Sequence, residues 1–292
     1  MPELPEVETI ARGLQKRVAG DTIDSIWLGS KPQTMKSRPA EIASTLEHTR
    51  IREVRRMGKH IVFELERNGA APARSLAKKS KTGKRTKTKL LGPRSQWIVH
   101  LGMTGRMVVC EPSAEIEKHT HAIVKLGSGR ELRFVDPRRF GRLSVASQGD
   151  FDAGGVEPLE VEKDRFLALF HGRKTPIKSA LLNQKLLRGV GNIYADESLF
   201  RAGIRPKRRL STVPRAKLEA LYGTVQEVLK EAIALGGSSI SDYVDADGEE
   251  GFFQLQHRVY GREGEPCLVC KSPIKRVVIV GRSSHYCAKC QK

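Results

Sequence analysis

The chain has 292 residues, 39% of them hydrophobic, and a formal net charge of +19, enough for one large domain or two ordinary ones with real cores. No run approaches the roughly 18 apolar residues of a membrane span, and the opening lacks a secretory signal pattern, so no membrane-spanning helix is expected and a cytoplasmic enzyme or binding protein is the default expectation. A cationic surplus this large calls for a polyanionic partner.

The first informative element is Pro2-Glu3-Leu4-Pro5-Glu6. Pro2 is small enough at its attachment point for Met1 removal to be expected, which leaves a secondary α-amine. Such an amine titrates near ~8, far below a lysine, so a useful fraction is uncharged at neutral pH. Glu3 and Glu6 put two carboxylates within a few residues of it. An amine nucleophile beside a proton donor suits attack on a sugar or carbonyl carbon to form a Schiff base. The same residues also read as a helix start, with Pro5 at the first helical position and acidic side chains complementing the dipole. Val7, Ile10, Leu14 and Val18 share one face of that helix, and Gly20 ends it.

From 22 to 146 the pattern is short strands: Thr22–Leu28, Arg52–Arg55, His60–Glu66, Gln96–Leu101, Arg106–Cys110, His121–Leu126, Glu131–Val135 and Arg142–Val145. This spacing predicts an antiparallel sandwich or barrel. Residues 67–95 interrupt it with ten Lys/Arg and no acid, a composition that predicts a disordered basic loop inserted between two strands. About half of the net charge sits there, and the remainder of the chain is still basic. Within the strand region, Lys59 follows Gly58, Met103 lies in a glycine-flanked turn (His100–Gly105), and Arg138, Arg139 and Phe140 lie in the turn Asp136–Gly141. Taken singly, Lys59 reads as a solvated strand-edge lysine and Met103 and Phe140 as core residues. An enzyme that extrudes a base must fill the gap it leaves, and apolar wedges with arginine do so.

From about 150 the pattern turns helical: Asp164–Leu169, Pro176–Leu182, Asn192–Ala202 and Arg215–Leu235, the last with Leu218, Leu221, Val225, Val228, Leu229 and Ala232 on one face. Gly189-Val190-Gly191-Asn192-Ile193-Tyr194 opens a helix with Asn192 as the expected N-cap, and free N–H groups there could hold a phosphate. The chain closes on Cys267-x-x-Cys270 and Cys287-x-x-Cys290 flanking a stretch that suits a β-hairpin. This spacing predicts one structural zinc ion held by four thiolates, with no open coordination position. Cys110 reads as a small strand residue. The fold class expected is therefore α+β, with residues 1–149 as an N-terminal β-sandwich flanked by helices. A helical part at 150–251 and a zinc-bound hairpin at 252–292 would follow.

Met1–Val7, Met57-Gly58-Lys59, His100–Gly105, Asp136–Gly141, Gly189–Tyr194 and Val259-Tyr260-Gly261-Arg262 with the cysteine hairpin together closely resemble bacterial formamidopyrimidine-DNA glycosylase. The resemblance runs in order over nearly the whole chain, residues 67–95 excepted. It implies a helix–two-turn–helix in the helical part. It also implies that Pro2 attacks C1′ of the damaged nucleoside, with Glu3 as general acid and base, Glu6 ordering the N-terminus and Lys59 on phosphate. Met103, Arg138 and Phe140 resemble the void fillers, with Arg138 on the orphaned cytosine, while Asn192 and Arg282 bind the flanking phosphates. Arg139, Tyr194 and Lys185 join the DNA-binding set. Ser238–Gly251 resembles the loop that covers the flipped base. The implied partner is duplex DNA carrying 8-oxoguanine or formamidopyrimidines, cut by β- and δ-elimination, and the implied enzyme is a monomer at the bacterial nucleoid. Two departures are the insertion and the unusually basic Ile204–Arg209.

Two other readings stand beside it. A sister endonuclease VIII-like enzyme would act on oxidised pyrimidines with the same amine chemistry; Leu4, Met103 and the Arg138–Phe140 turn favour the purine branch. A non-catalytic zinc-hairpin DNA-binding protein would account for charge and cysteines but not for Pro2-Glu3, and an RNA-associated zinc protein is permitted by the basic loop alone.

Overall fold

A computed structural model describes residues 1–67, 92–239 and 250–292. Most of the basic stretch expected at 67–95, and most of the loop expected at Ser238–Gly251, lie outside these residues. The described residues fall into two compact units, one holding 1–2 and 7–152, the other 3–6, 153–239 and 250–292.

Helix α1 (Leu4–Val18), which belongs to the first unit from Val7 onward, leads into strands β1 (Thr22–Leu28), β2 (Thr49–Met57), β3 (His60–Arg67), β4 (Arg94–His100), β5 (Arg106–Cys110), β6 (Thr120–Leu126), β7 (Glu131–Val135) and β8 (Arg142–Ser147). A helix α2 (Pro39–Leu46) sits between β1 and β2. Helix α1 begins at Leu4, so Pro5 is the second helical residue rather than the first; its missing N–H has no partner to lose in a first turn. Val7, Ile10, Leu14 and Val18 are all buried, as their spacing requires.

The eight strands form one hydrogen-bonded series in the order β5-β7-β6-β1-β2-β3-β4-β8, with every pairing antiparallel. The β1–β2 pairing is confined to Thr22–Arg50 and Ile23–Thr49, so the sheet divides there into two halves. Both halves feed one core: Ile23, Val124, Leu132 and Phe134 with Ile51, Ile61, Phe63, Leu65 and Val99. Phe63 and Trp97 pair on adjacent strands at 4.7 Å between ring centroids, a contact worth about 0.5–1.5 kcal/mol beyond its buried area. The basic stretch is flanked by paired strand ends. Glu66 lies opposite Arg94, and the Arg67 N–H donates to Pro93 O at 2.9 Å, so the ladder runs one residue further on β3 and two earlier on β4 than composition predicts.

Strand β2 is longer than its four expected residues because a bulge interrupts the alternation between Ile51 and Glu53. Counted strictly by twos from Ile51, Val54 falls on the outer face; the extra residue returns it to the core.

The second unit contains α3 (Lys163–Phe170), α4 (Ile177–Leu181), α5 (Asn192–Arg201), α6 (Arg215–Ala234) and a two-stranded hairpin, β9 (Ile274–Ile279) with β10 (Arg282–Cys287). Leu221, Val225, Val228, Leu229 and Ala232 of α6 are buried, and Leu218 is partly so. A small third cluster of Phe200, Val259, Cys267, Ile274 and Cys287 joins α5 to the hairpin. No helix among the described residues is long and apolar enough to cross a membrane.

Candidate functional site

In the first unit, Pro2 is buried while Met1 is exposed. Lys59 occupies the β2–β3 turn and is only 9% exposed, so it is not the solvated edge lysine its position alone predicts. Met103 and Phe140 are 38% and 49% exposed, so neither is a core residue. The Arg138 guanidinium stacks over the Phe140 ring at 5.1 Å, a cation–π contact that holds both at one edge of the sheet. Arg139 lies between them in the left-handed region, with φ of 58°.

Behind Lys59, His60 and His100 lie 5.0 Å apart between ring centroids, with Phe151 against His60. The Gly102 N–H donates to His100 Nδ1 at 3.1 Å. Burial, then the charge of His100 and, more weakly, that of Lys36, hold His60 down to about 4 against the opposing hydrogen bond to the Met57 backbone. Burial, then Lys59, Arg142 and Lys36, do the same to His100. An unfolded histidine titrates near 6.5, so between pH 6.5 and 4 the unfolded chain binds more protons. Stability is complete above that window and falls as pH drops through it, on the order of 2 kcal/mol per histidine. Thermal melts from pH 7.5 to 4.5 should show this slope, and His60→Phe should flatten it; an unchanged slope in the variant would contradict the assignment.

In the second unit, the N-terminal residues meet the start of α5. The Glu3 carboxylate Oε1 accepts the Ile193 N–H at 3.2 Å, and the Leu4 N–H donates to Gly189 O at 3.0 Å. The residue preceding the helix is Gly191, with no side-chain cap. Asn192 is therefore not the N-cap that sequence pattern predicts. A β-carbon on Gly191 would overlap the Glu3 carboxyl group, so only glycine lets this carboxylate reach the helix start. An anion there is stabilised by the dipole, typically by ~0.3–1 kcal/mol. The Ile193 N–H is consequently engaged by protein, and the phosphate site expected from free N–H groups is correspondingly reduced. Gly191→Ala should cost about 1–3 kcal/mol by overpacking, read by urea denaturation; unchanged stability would show that Glu3 can sit elsewhere.

Glu6 is fully enclosed. Its Oε2 accepts the Glu3 N–H at 2.7 Å, its Oε1 accepts the Ser238 N–H at 2.8 Å, and the Tyr194 hydroxyl donates to the same Oε1. Burial pushes the Glu6 carboxyl up, opposed by those donors, the Tyr194 hydroxyl most of all. Tyr194 is 0% exposed, which corrects its placement among the DNA contacts: a ring sealed in the core with its hydroxyl on Glu6 supports the N-terminal segment instead.

Asn192 Nδ2 faces Ser283 Oγ at 3.5 Å and its side chain bonds Tyr260. Arg282, exposed at the start of β10, is adjacent to Ser283. The structure thus brings Asn192 and Arg282 to one neighbourhood, while Lys185 is exposed before α5 with its N–H on Asn183 Oδ1 at 3.0 Å.

Several supporting residues escape sequence reasoning. Lys178 and Asp196, both 0% exposed, pair at 2.7 Å. Lys178 Nζ also donates to Ser283 O at 2.8 Å, and the His285 N–H donates to Asp196 Oδ2 at 2.8 Å, so the pair ties β10 to α4 and α5. Removing one partner of such a pair leaves a buried charge, at about 3–5 kcal/mol. Glu197 accepts the consecutive N–H groups of Arg258, Val259 and Tyr260 at 2.9–3.1 Å, which fixes Tyr260 beside Asn192. The available signal was the acidic pair Asp196-Glu197 between the apolar residues Ile193, Tyr194, Ala195 and Leu199, Phe200 of one helix.

The four hairpin cysteines are unbridged, and their sulfurs all lie within 4.8 Å of one another. Cys267 and Cys290 are 3.9 Å apart and Cys270 and Cys287 3.4 Å, close to the ~3.8 Å edge of a tetrahedron with 2.3 Å metal–sulfur bonds. Loss of solvation and the neighbouring sulfurs push the Cys290 thiol up to about 12, so a cation is what lets all four ionise together. The set fits one zinc ion. Cys110 is half-buried at the end of β5.

Family models match the chain in three consecutive segments. Residues 1–143 match the formamidopyrimidine-DNA glycosylase N-terminal domain, 155–244 the H2TH domain of that enzyme and 264–292 the zinc finger found in FPG and IleRS. The formamidopyrimidine-DNA glycosylases of Solibacter usitatus and Desulfitobacterium hafniense are 43% and 39% identical to it, each comparison covering 100% of both chains. Among solved structures, Lactococcus lactis Fpg in complex with abasic-site DNA superposes with a TM-score of 0.85 at 30% identity, covering 99% of each chain. Thermus thermophilus MutM (Fpg) gives 0.81 at 38% identity, covering 99% of this chain and 98% of that one. With identity sustained over full length and all three segments matched in order, the chain belongs to the formamidopyrimidine-DNA glycosylase family.

Proposed function

We propose that this chain is a base-excision-repair glycosylase that removes oxidised purines, 8-oxoguanine and formamidopyrimidines, and then cleaves the abasic strand. Pro2, freed of Met1, attacks C1′ of the damaged nucleoside; the base leaves with the electrons of its glycosidic bond and a proton. The amine proton is lost, the C1′–O4′ bond opens with its electrons and a proton going to O4′, and the resulting iminium has no N–H to release, so it stays cationic. It acidifies C2′, whose proton is removed as the 3′ phosphate leaves in β-elimination, and δ-elimination then releases the 5′ phosphate. Glu3 serves as general acid and base at the sugar and leaving group. Its anchorage at the start of α5, one residue from Pro2, is the observation that carries this reading. Glu6, held by Tyr194 and Ser238, keeps that segment in one conformation.

The remaining residues bind damaged duplex DNA. Lys59, Asn192 and Arg282 take phosphates near the lesion, and Met103, Arg138 and Phe140 fill the gap left by the extruded nucleotide. Arg139 and Lys185, both exposed, add backbone contacts. One structural zinc holds the hairpin that presents Arg282. Residues 1–149, 150–251 and 252–292 divide this work as catalytic, helical DNA-binding and zinc-hairpin parts of a monomer acting on bacterial nucleoid DNA.

The test is covalent trapping. Protein is incubated with a duplex carrying 8-oxoguanine opposite cytosine in the presence of borohydride. A protein–DNA adduct on that duplex is expected. An adduct formed only with thymine glycol would assign the chain to pyrimidine repair, and tight binding without any adduct would make it a non-catalytic binder.

A further inference from the structure

The two turns that carry Met103 and the Arg138–Phe140 group are the β4–β5 and β7–β8 connections, each joining strands that do not pair with one another, yet one buried carboxylate joins them. Asp136 is 0% exposed. Its Oδ1 accepts the Thr104 hydroxyl at 2.7 Å, and its Oδ2 accepts the Gly141 N–H at 2.7 Å. Thr104 Oγ1 in turn accepts the Arg138 N–H at 3.3 Å. The backbone of Asp136 is itself anchored: its N–H donates to His119 O at 3.0 Å, and its carbonyl accepts from His121 Nε2 at 2.9 Å.

Packing closes the same joint. Gly102, with φ of +66°, lies so near the second turn that a β-carbon there would meet Phe140 C and Gly141 N at 2.5 Å. A β-carbon on Gly141 would meet Phe134 Cζ at 2.5 Å and Asp136 Oδ2 at 3.0 Å. Neither turn can shift without displacing the other, because both contacts are to backbone or core. The outward-facing products of this joint are the half-exposed Met103 and the stacked Arg138 and Phe140.

We infer that Asp136, acting through Thr104 and Gly141, is a positioning residue that fuses the two turns into one rigid wedge. The wedge thereby enters the base stack already assembled rather than ordering after contact. This rests on the gap-filling roles proposed above for Met103, Arg138 and Phe140. A wedge that must order on entry loses side-chain and loop entropy at the moment of base extrusion. The cost falls on substrates that need a base expelled, and spares a preformed abasic site, which has no base to unstack.

Three variants test it. Thr104→Val deletes the bridging hydroxyl at a half-exposed turn position, Thr104→Ser retains it, and Asp136→Asn turns one acceptor into a donor. Single-turnover excision of 8-oxoguanine should fall roughly tenfold in Thr104→Val and Asp136→Asn and stay near wild type in Thr104→Ser. Scission of a preformed abasic site should stay within about twofold in all three, since its chemistry does not use the wedge. In the DNA-free protein, hydrogen exchange at the Gly141 amide should accelerate in Asp136→Asn. Wild-type excision rates in Thr104→Val, equal losses on both substrates, or unchanged Gly141 exchange would each overturn the inference. Wild-type protein inactive on both DNAs would instead count against the proposed function, and the exchange measurement would still decide whether the bracket exists.

Discussion

Pro2→Gly should bind lesion-bearing duplex with near wild-type affinity and excise the base at least roughly 10²-fold more slowly. The substitution retains a small second residue, so Met1 removal and an α-amine are preserved, and the loss reports on the ring nitrogen rather than on a missing amine. Two effects combine. A primary amine forms an imine that can lose its proton and become neutral, whereas the proline iminium stays cationic through elimination. Glycine also restores backbone freedom at the residue preceding Glu3, and an unfixed amine forfeits the orientation that makes the attack effectively intramolecular. The Glu3 N–H bond to Glu6 and the Glu3 carboxylate on Ile193 fix everything up to the Pro2 peptide bond, so the change is confined to the nucleophile. Lys59, Asn192 and Arg282 are untouched, which is why affinity is expected to survive. An unchanged excision rate would remove Pro2 from the reaction.

Cys290→Ser, or zinc chelation in the wild-type chain, should lower DNA affinity by roughly 10²-fold with loss of hairpin order, because structural zinc contributes on the order of 10 kcal/mol to such folds. Apart from the Lys178–Asp196 bonds to β10, the apolar support of the hairpin is small. Its buried apolar cluster amounts to Phe200, Val259, Ile274 and the cysteines themselves, and Val278 and Val280 face solvent. Without the ion, four thiols crowd within 4.8 Å and the β9–β10 register has only six paired positions to keep it. Arg282 opens β10 and moves with it. The Lys178–Asp196 pair loses Ser283 O and the His285 N–H together, so disorder should spread to the start of α5. Full affinity in the metal-free protein would show that Arg282 is not a principal DNA contact.

How much of this was legible in the sequence varied with the range of the interaction. The CxxC pairs are local, and their spacing alone specified the metal centre. Strands β1, β5 and β7 were correctly bounded by alternation and flanking turns, but β2 was cut short because its bulge breaks the two-residue period between Ile51 and Glu53. Helix α2 went unread, since eight residues with Ser44 and Thr45 inside present only Ile42, Thr45 and Leu46 to the core, too few for a periodic signal. The start of α5 misled for a different reason. Asn192 is the better cap by type, yet the anion at that helix start comes from Glu3, 190 positions away, and no local rule can anticipate it. Tyr194 was placed in the DNA-binding set through the family resemblance, while the structure buries its ring and gives its hydroxyl to Glu6. Met103 and Phe140 ran the other way. Each alone reads as core, and their exposure becomes intelligible only once Asp136 and Gly102 bring their two turns together.

The most direct measurement is the site of the covalent bond to DNA. The borohydride-trapped adduct with 8-oxoguanine duplex is digested with protease and nuclease, and the modified peptide is sequenced by mass spectrometry. A deoxyribose remnant on the α-nitrogen of Pro2, in a peptide lacking Met1, is the expected result. A remnant on the side chain of Lys59 or any other internal lysine, or on a peptide that retains Met1, would contradict it.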